Sequence, residues 1–228
     1  MLDSLAVQVR WLRKRLEHHL LGNHLWANEK ALVFAGACFQ DREAAGWLQQ
    51  GLRLVQSELR EQVLADGGHF ERSPMYHAIL TEDVLDLVQL AALVGVVPPG
   101  QAQAWRDAAA RMLGWAEAMA HPDGDVAFFN DAAFGIAPAW PALSAYATAL
   151  GLSRPGLAEK ADADVGGCEG IQARLLPQSG YARLMVGPAV LLADVAAIGP
   201  DYLPGHAHAD TLSFELSLGG RRVLVNGG

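Results

Sequence analysis

The sequence predicts an α+β chain, helical to about Leu150 and antiparallel β from about Tyr181. Three observations predict it. Apolar residues recur at helical spacing up to Leu150. The period then falls to two, as in Gly180-Tyr181-Ala182-Arg183-Leu184-Met185-Val186. Between the two regimes, Pro155, Gly156, Gly166, Gly167, Gly170 and Pro177 interrupt residues 153–178, which read as a linker. The expected parts are therefore a helical region, 1–152, and a β region, 179–228.

The elements follow in order. Leu5, Val9, Leu12 and Leu16 share a helical face, and Gly22-Asn23 closes that segment. A second helix starts near His24 and runs to Cys38, whose apolar setting suggests a small core residue. A third starts at Asp41 and carries Trp47, Leu48, Leu52, Val55 and Leu59, until Ala65-Asp66-Gly67-Gly68 breaks it. Ser73 suits an N-cap with Pro74 at the first helical position, so a fourth helix runs from Met75 to about Leu93. The fifth spans Gln101 to Met119, and the sixth Ala139 to Leu150. Short loops between wide apolar faces suggest paired antiparallel helices. Strands are expected at 180–186, 189–196, 211–218 and 221–226, the last two joined at Gly219-Gly220 as a hairpin. Four strands with an apolar face call for another layer. We therefore expect the chain to be part of a longer protein.

Totals exclude several functions. Apolar residues make up 51% of the 228 residues and charged residues 18%, which is a globular balance. A net charge of −8 argues against nucleic-acid binding. No apolar run reaches the roughly 18 residues of a membrane span. The basic residues Arg10, Arg13, Lys14 and Arg15 precede no apolar core of a signal peptide. Cys38 and Cys168 are far apart and show no metal spacing.

The chemistry concentrates in Pro204-Gly205-His206-Ala207-His208-Ala209-Asp210-Thr211, which runs into a strand. If the extended backbone already begins at His206, then His206, His208 and Asp210 share one face. Imidazole and carboxylate are ordinary zinc ligands. Followed by Gly219-Gly220 and Arg221-Arg222-Val223-Leu224-Val225-Asn226, this motif resembles the heparinase II/III-like polysaccharide lyases, which include alginate and oligoalginate lyases. The resemblance extends over nearly the whole chain. It implies an incomplete α/α toroid followed by the first strands of an antiparallel β-sandwich. It also implies a periplasmic or cell-envelope setting and an anionic polysaccharide or oligosaccharide as partner.

Carried over residue by residue, the resemblance implies that Asn23 and His24 bind the substrate carboxylate. Tyr76 transfers a proton, His206 faces them from the sheet, and His208 is a zinc ligand. His24, Tyr76 and His206 are thus the catalytic candidates. Asn23, Asn28, Glu71, His77 and Asn130 are the substrate-binding candidates. Each has an ordinary role open to it as well: Asn23 as a helix cap, Tyr76 as a packed ring, Asn130-Asp131 as a turn. The implied reaction is β-elimination from a uronic-acid-containing glycan. It removes the C5 proton beside a carboxylate and expels the 4-O-glycosyl group. Donors such as Asn23 and His24 would stabilise the dianion that develops. The base is His24, His206 or a tyrosinate form of Tyr76, according to whether the C5 proton and leaving group are syn or anti.

One position departs from the pattern. The family carries Asp as a second zinc ligand near the end of the strand after the hairpin, where this chain has Asn226, and an amide oxygen is a poor zinc ligand. Weak or no zinc is expected, as a structural ion if present. A bulged hairpin, with Leu218 opposite Arg222, would bring Asn226 onto the His208 face, and this register is the one expected. Two other functions compete. One is a non-catalytic glycan-binding or exopolysaccharide-assembly protein that keeps the lyase fold. The other is a glycoside hydrolase using Glu71 and Asp131 as its carboxylate pair.

Overall fold

The computed structural model describes residues 2–152 and 170–227. Most of the expected linker, 153–169, lies outside the described residues, as does Cys168. The helices are α1 Leu2–Arg13, α2 Gly22–Cys38, α3 Arg42–Gln62, α4 Pro74–Val94, α5 Pro99–Met119 and α6 Trp140–Ala149. Their starts follow local chemistry. Asp41 caps α3 by accepting the Ala44 N–H at 2.7 Å. Ser73 caps α4 by accepting the Tyr76 N–H, and Pro74 supplies the preset φ of the first turn. Gly95 ends α4 in the left-handed region, at φ 62. The first helix is shorter than its apolar spacing suggests. It ends at Arg13, and the N–H groups of Leu20 and Leu21 both turn back to the Glu17 carbonyl. Leu16 packs on the Val9–Trp47 cluster from outside the helix, which preserves its spacing signal.

Helices α2 and α3 pack as an antiparallel hairpin. Gly36 allows their close approach, since a Cβ there would lie 2.4 Å from the Leu48 backbone nitrogen. Helix α4 is buried nearly all round. Leu80, Val84, Leu85, Leu87 and Val88 are at most 3% exposed. Each such aliphatic side chain contributes about 1.5–3 kcal/mol by burial. Cys38 is exposed at the end of α2, which corrects the expectation of a core thiol. A second cluster joins Trp115, Ala118 and Met119 of α5 to Phe129, Leu176, Tyr181 and Leu192. It welds the helices to the sheet.

The sheet is an antiparallel meander in chain order: β1 Ile171–Leu176, β2 Tyr181–Val186, β3 Ala189–Asp194, β4 Phe214–Leu218 and β5 Arg221–Leu224. Strand β1 corrects the linker reading over 171–176. It is an edge strand whose residues lack a clean alternation, and Leu176 alone of them is buried. Strand β4 begins at Phe214, so the extended run from His206 does not form. The Ala207 N–H closes a turn on Pro204, the Ser213 N–H another on Asp210, and Leu212 sits at φ 70. His206, His208 and Asp210 therefore do not share a strand face.

The β4–β5 hairpin differs from the expected register at its tip and agrees beyond it. Gly219 and Gly220 both take positive φ, 59 and 81, so the turn closes on two residues and Leu218 pairs with Arg221. The extra residue comes later. Ser217 pairs with Arg222 and Leu216 with Leu224, leaving Val223 as the bulge. Pairing stops at Leu224, and the Asn226 N–H is accepted by Glu215 Oε1 at 2.9 Å.

Polar bonds fix sheet to helices. Asp66, after α3, accepts the N–H groups of Gln178 and Ser179 at 3.0 and 2.7 Å. Arg183 of β2 donates to the carbonyls of Ala118 and Ala120 at the end of α5. Glu215 of β4, fully buried, accepts the Phe128 N–H at 2.9 Å and meets His121 at 2.6 Å. The 121–131 loop is thus anchored on the sheet, beside the N-terminal ends of α2 and α4.

Candidate functional site

The site forms where these two helix starts meet the β3–β4 connection. Leu21 and Gly22 enter α2 with φ of 59 and 49, which turns the Asn23 N–H onto Glu71 Oε1 at 3.4 Å. Glu71 lies in the loop between α3 and α4 with its side chain 3% exposed. A Cβ on Gly22 would lie 2.4 Å from Glu71 Oε1, so only glycine fits against this carboxylate. Gln62 secures the pair from below, donating to the Gly22 carbonyl at 3.0 Å and meeting His69 Nε2 at 3.2 Å. Arg72, at φ 62, redirects the chain into the Ser73 cap, and Tyr76 follows in the first turn of α4.

His206 enters from the sheet side and is held on three sides. Its ring stacks on Tyr76, with centroids 3.8 Å apart and planes 29° from parallel. Its Nε2 lies 3.4 Å from Asn23 Oδ1 and 3.7 Å from Glu71 Oε2. Its Nδ1 lies 3.1 Å from Asp131 Oδ2. An imidazole thus stands between Glu71 and Asp131, in the space that a hydrolase pair would leave for a sugar. His24 stands next to Asn23 with its side chain 53% exposed and its Nδ1 3.8 Å from Glu17 Oε2.

Burial sets the charge states. It lifts the Glu71 carboxyl above the usual range, against the pull of the neighbouring His206, the Asn23 N–H and His24. Tyr76 is raised too, by burial first and then by Asp131 and Glu71. That direction favours the protonated phenol. Burial, with His77 and His206 nearby, holds His69 well below the usual imidazole range and hence neutral.

The structure brings Asn23, Tyr76 and His206 together with His24 alongside, and places the other candidates elsewhere. His77, 1% exposed, bonds Met112 O at 3.0 Å, and burial pushes it down to about 4. It is a core residue, which corrects its expected contact with substrate. Asn28 is buried and spans the turn before α2, with Glu17 N–H and Oε2 and the His24 carbonyl as partners. Asn130 is 4% exposed and spends its amide on Arg72 O, Tyr181 Oη and the His208 N–H. Both are structural for the same reason: the polar loops need internal partners where water is excluded. Glu71 likewise supports Asn23 and His206 from beneath and presents no open face to a ligand. Asp131, expected only as a turn residue or as half of a hydrolase pair with Glu71, is instead the partner of His206.

The zinc expectation has one matching feature. His208 Nδ1 is buried and makes no hydrogen bond. Asn226, however, is tied through its N–H to Glu215. Among the described residues no group of three or more His, Cys, Asp or Glu side chains converges on a point where a metal would sit. The chemistry proposed for the site therefore uses no metal.

Comparison with known proteins agrees with this architecture. The family described as Heparinase II/III N-terminus matches residues 1–146, and that described as Heparinase II/III-like, C-terminal, matches 170–228. A heparin-sulfate lyase of Bacteroides stercoris is 36% identical over 75 residues, 32% of this chain and 11% of that protein. One from Pedobacter heparinus is 39% identical over 57 residues, 25% of this chain and 9% of that protein. Among solved structures, heparan sulfate lyase HepC from Pedobacter heparinus superposes with a TM-score of 0.67 at 21% identity, covering 100% of this chain and 36% of that one. A structure of heparinase III gives 0.71 at 21% identity, covering 98% and 37%. The chain thus spans little more than a third of its solved relatives. Its helices and sheet correspond to the helical toroid and the start of the β-sandwich of that fold, and the chain belongs to the heparinase II/III family.

Proposed function

We propose that the protein is a glycosaminoglycan lyase that cleaves a uronate-containing chain by β-elimination. One observation carries this reading: His206 is clamped against Asn23 and Tyr76 across the junction of helices and sheet. The curated relatives named heparin-sulfate lyases support the substrate class. Asn23 and His24 bind the uronate carboxylate and stabilise charge that grows on it as the C5 proton leaves. His206 takes that proton. The C5–H electrons form the C4–C5 double bond, the C4–O4 bond breaks, and the Tyr76 phenol protonates O4. His206 then gives its proton to solvent and the Tyr76 phenolate takes one back from solvent, which restores both groups.

The test is the mass of the products. Full-length protein incubated with heparan sulfate should release fragments whose new non-reducing ends are lighter by one water than hydrolysis products. Fragments of hydrolytic mass would overturn elimination, and binding without any chain shortening would favour the non-catalytic reading.

A further inference from the structure

We propose that Asp131 is the positioning residue of the site: it holds the His206 imidazole with its proton on Nδ1, so that Nε2 is the nitrogen presented to substrate. The assignment as a proton acceptor in catalysis rests on the lyase reading above, whereas the orientation itself rests on geometry alone. Asp131 Oδ2 lies 3.1 Å from His206 Nδ1, and a carboxylate can only accept there. The opposite nitrogen faces the Asn23 side-chain amide at 3.4 Å, and that amide presents either its oxygen or its NH2 by a half-turn.

The main chain around Asp131 is fixed on both sides, which makes its carboxylate a rigid stop. Its N–H donates to the His206 carbonyl at 3.0 Å. Its own carbonyl accepts the Ser73 hydroxyl at 2.8 Å, and Ser73 is the cap of the helix that carries Tyr76. Asn130, at φ 55, donates its N–H to Asp210 and accepts the His208 N–H at 3.0 Å, so the flanking loop is held by the same pair. One dipeptide therefore sets both the ring edge of His206 and its distance from Tyr76. The Asp131 side chain is 51% exposed, so solvent screens its charge, and its effect is on orientation more than on binding energy. That exposure also lets the side chain change without loss of the fold.

Nitrogen-15 chemical shifts of the His206 ring report the tautomer directly in this chain. The wild type should show the Nδ1–H form. Asp131→Asn, whose amide can donate to Nδ1, should shift the ring towards the Nε2–H form. In full-length protein the same variant should lose at least about tenfold in kcat, the scale of one misplaced general base, with KM changed less than about twofold. Asp131→Glu should recover part of that loss. An Nε2–H ring in the wild type, or an Asp131→Asn protein with unchanged tautomer and kcat, would overturn the proposal. If the wild type yields no unsaturated product at all, the lyase reading fails, while the nitrogen shifts still decide what Asp131 does.

Discussion

At the residue scale, the site is assembled under backbone strain. Non-glycine residues with positive φ among the described residues are Leu21, Arg72, Asn130 and Leu212, and each lies within a few positions of a site residue or its support. Gly22 is the tightest point of this arrangement. Gly22→Ala should cost about 1–2 kcal/mol of stability from the left-handed backbone and push Glu71 off the Asn23 N–H. Urea unfolding should register the first effect. Turnover should fall by more than that loss of stability explains, because Asn23 and His206 both lean on Glu71. Equal turnover per folded molecule would contradict this support role. The sequence exposed Asn23, Tyr76 and His206 through a resemblance, since polar groups at those spacings have no periodicity to betray them. It misassigned His77, Asn28 and Asn130 for a physical reason. Buried loops and helix ends recruit the same residue types to satisfy their own backbone, and a single sequence does not show which partner each finds.

At the element scale, helix starts and breaks were written locally. The Asp41 and Ser73-Pro74 caps and the Gly219-Gly220 turn place their elements within a residue or two. Strand β1 was illegible because its edge position leaves it little alternation. The bulge expected at the glycines lies instead at Val223, where neither strand carries a glycine. One helical feature carries a pH prediction. Glu29 of α2 is fully buried with neither carboxylate oxygen hydrogen-bonded. Burial, and then repulsion from Glu58, lifts its carboxyl from 4.5 to about 9. The unfolded chain releases this proton near 4.5, so across the window up to about 9 the folded chain binds the more protons. Stability from the protonated group is therefore complete below that window and is lost as pH rises through it. Glu29→Gln should flatten the fall of the urea midpoint with pH across this range. A slope equal to that of the wild type would show that Glu29 ionises freely in the fold.

At the scale of the whole molecule, function depends on holding a helical layer and a sheet in one register. Glu215 does this from inside the sheet. Its carboxylate gathers His121, the Phe128 N–H and the Asn226 N–H, while Arg222 pins Asp123 and packs over Phe128 and Phe134. These anchors fix the loop that carries Asp131, and so bring His206 to Tyr76 from an element more than a hundred residues away in sequence. The change of period from helix to strand showed that two layers exist, but not which loop bridges them. The central claim is that the Tyr76–His206 pair performs an elimination. The most direct measurement is ultraviolet absorbance, which rises as a C4–C5 double bond forms, during incubation of full-length protein with heparan sulfate. The account predicts a steady rise for the wild type and, for Tyr76→Phe, loss of the rise with glycan binding retained. Chain cleavage without absorbance, or a Tyr76→Phe protein as fast as the wild type, would contradict it.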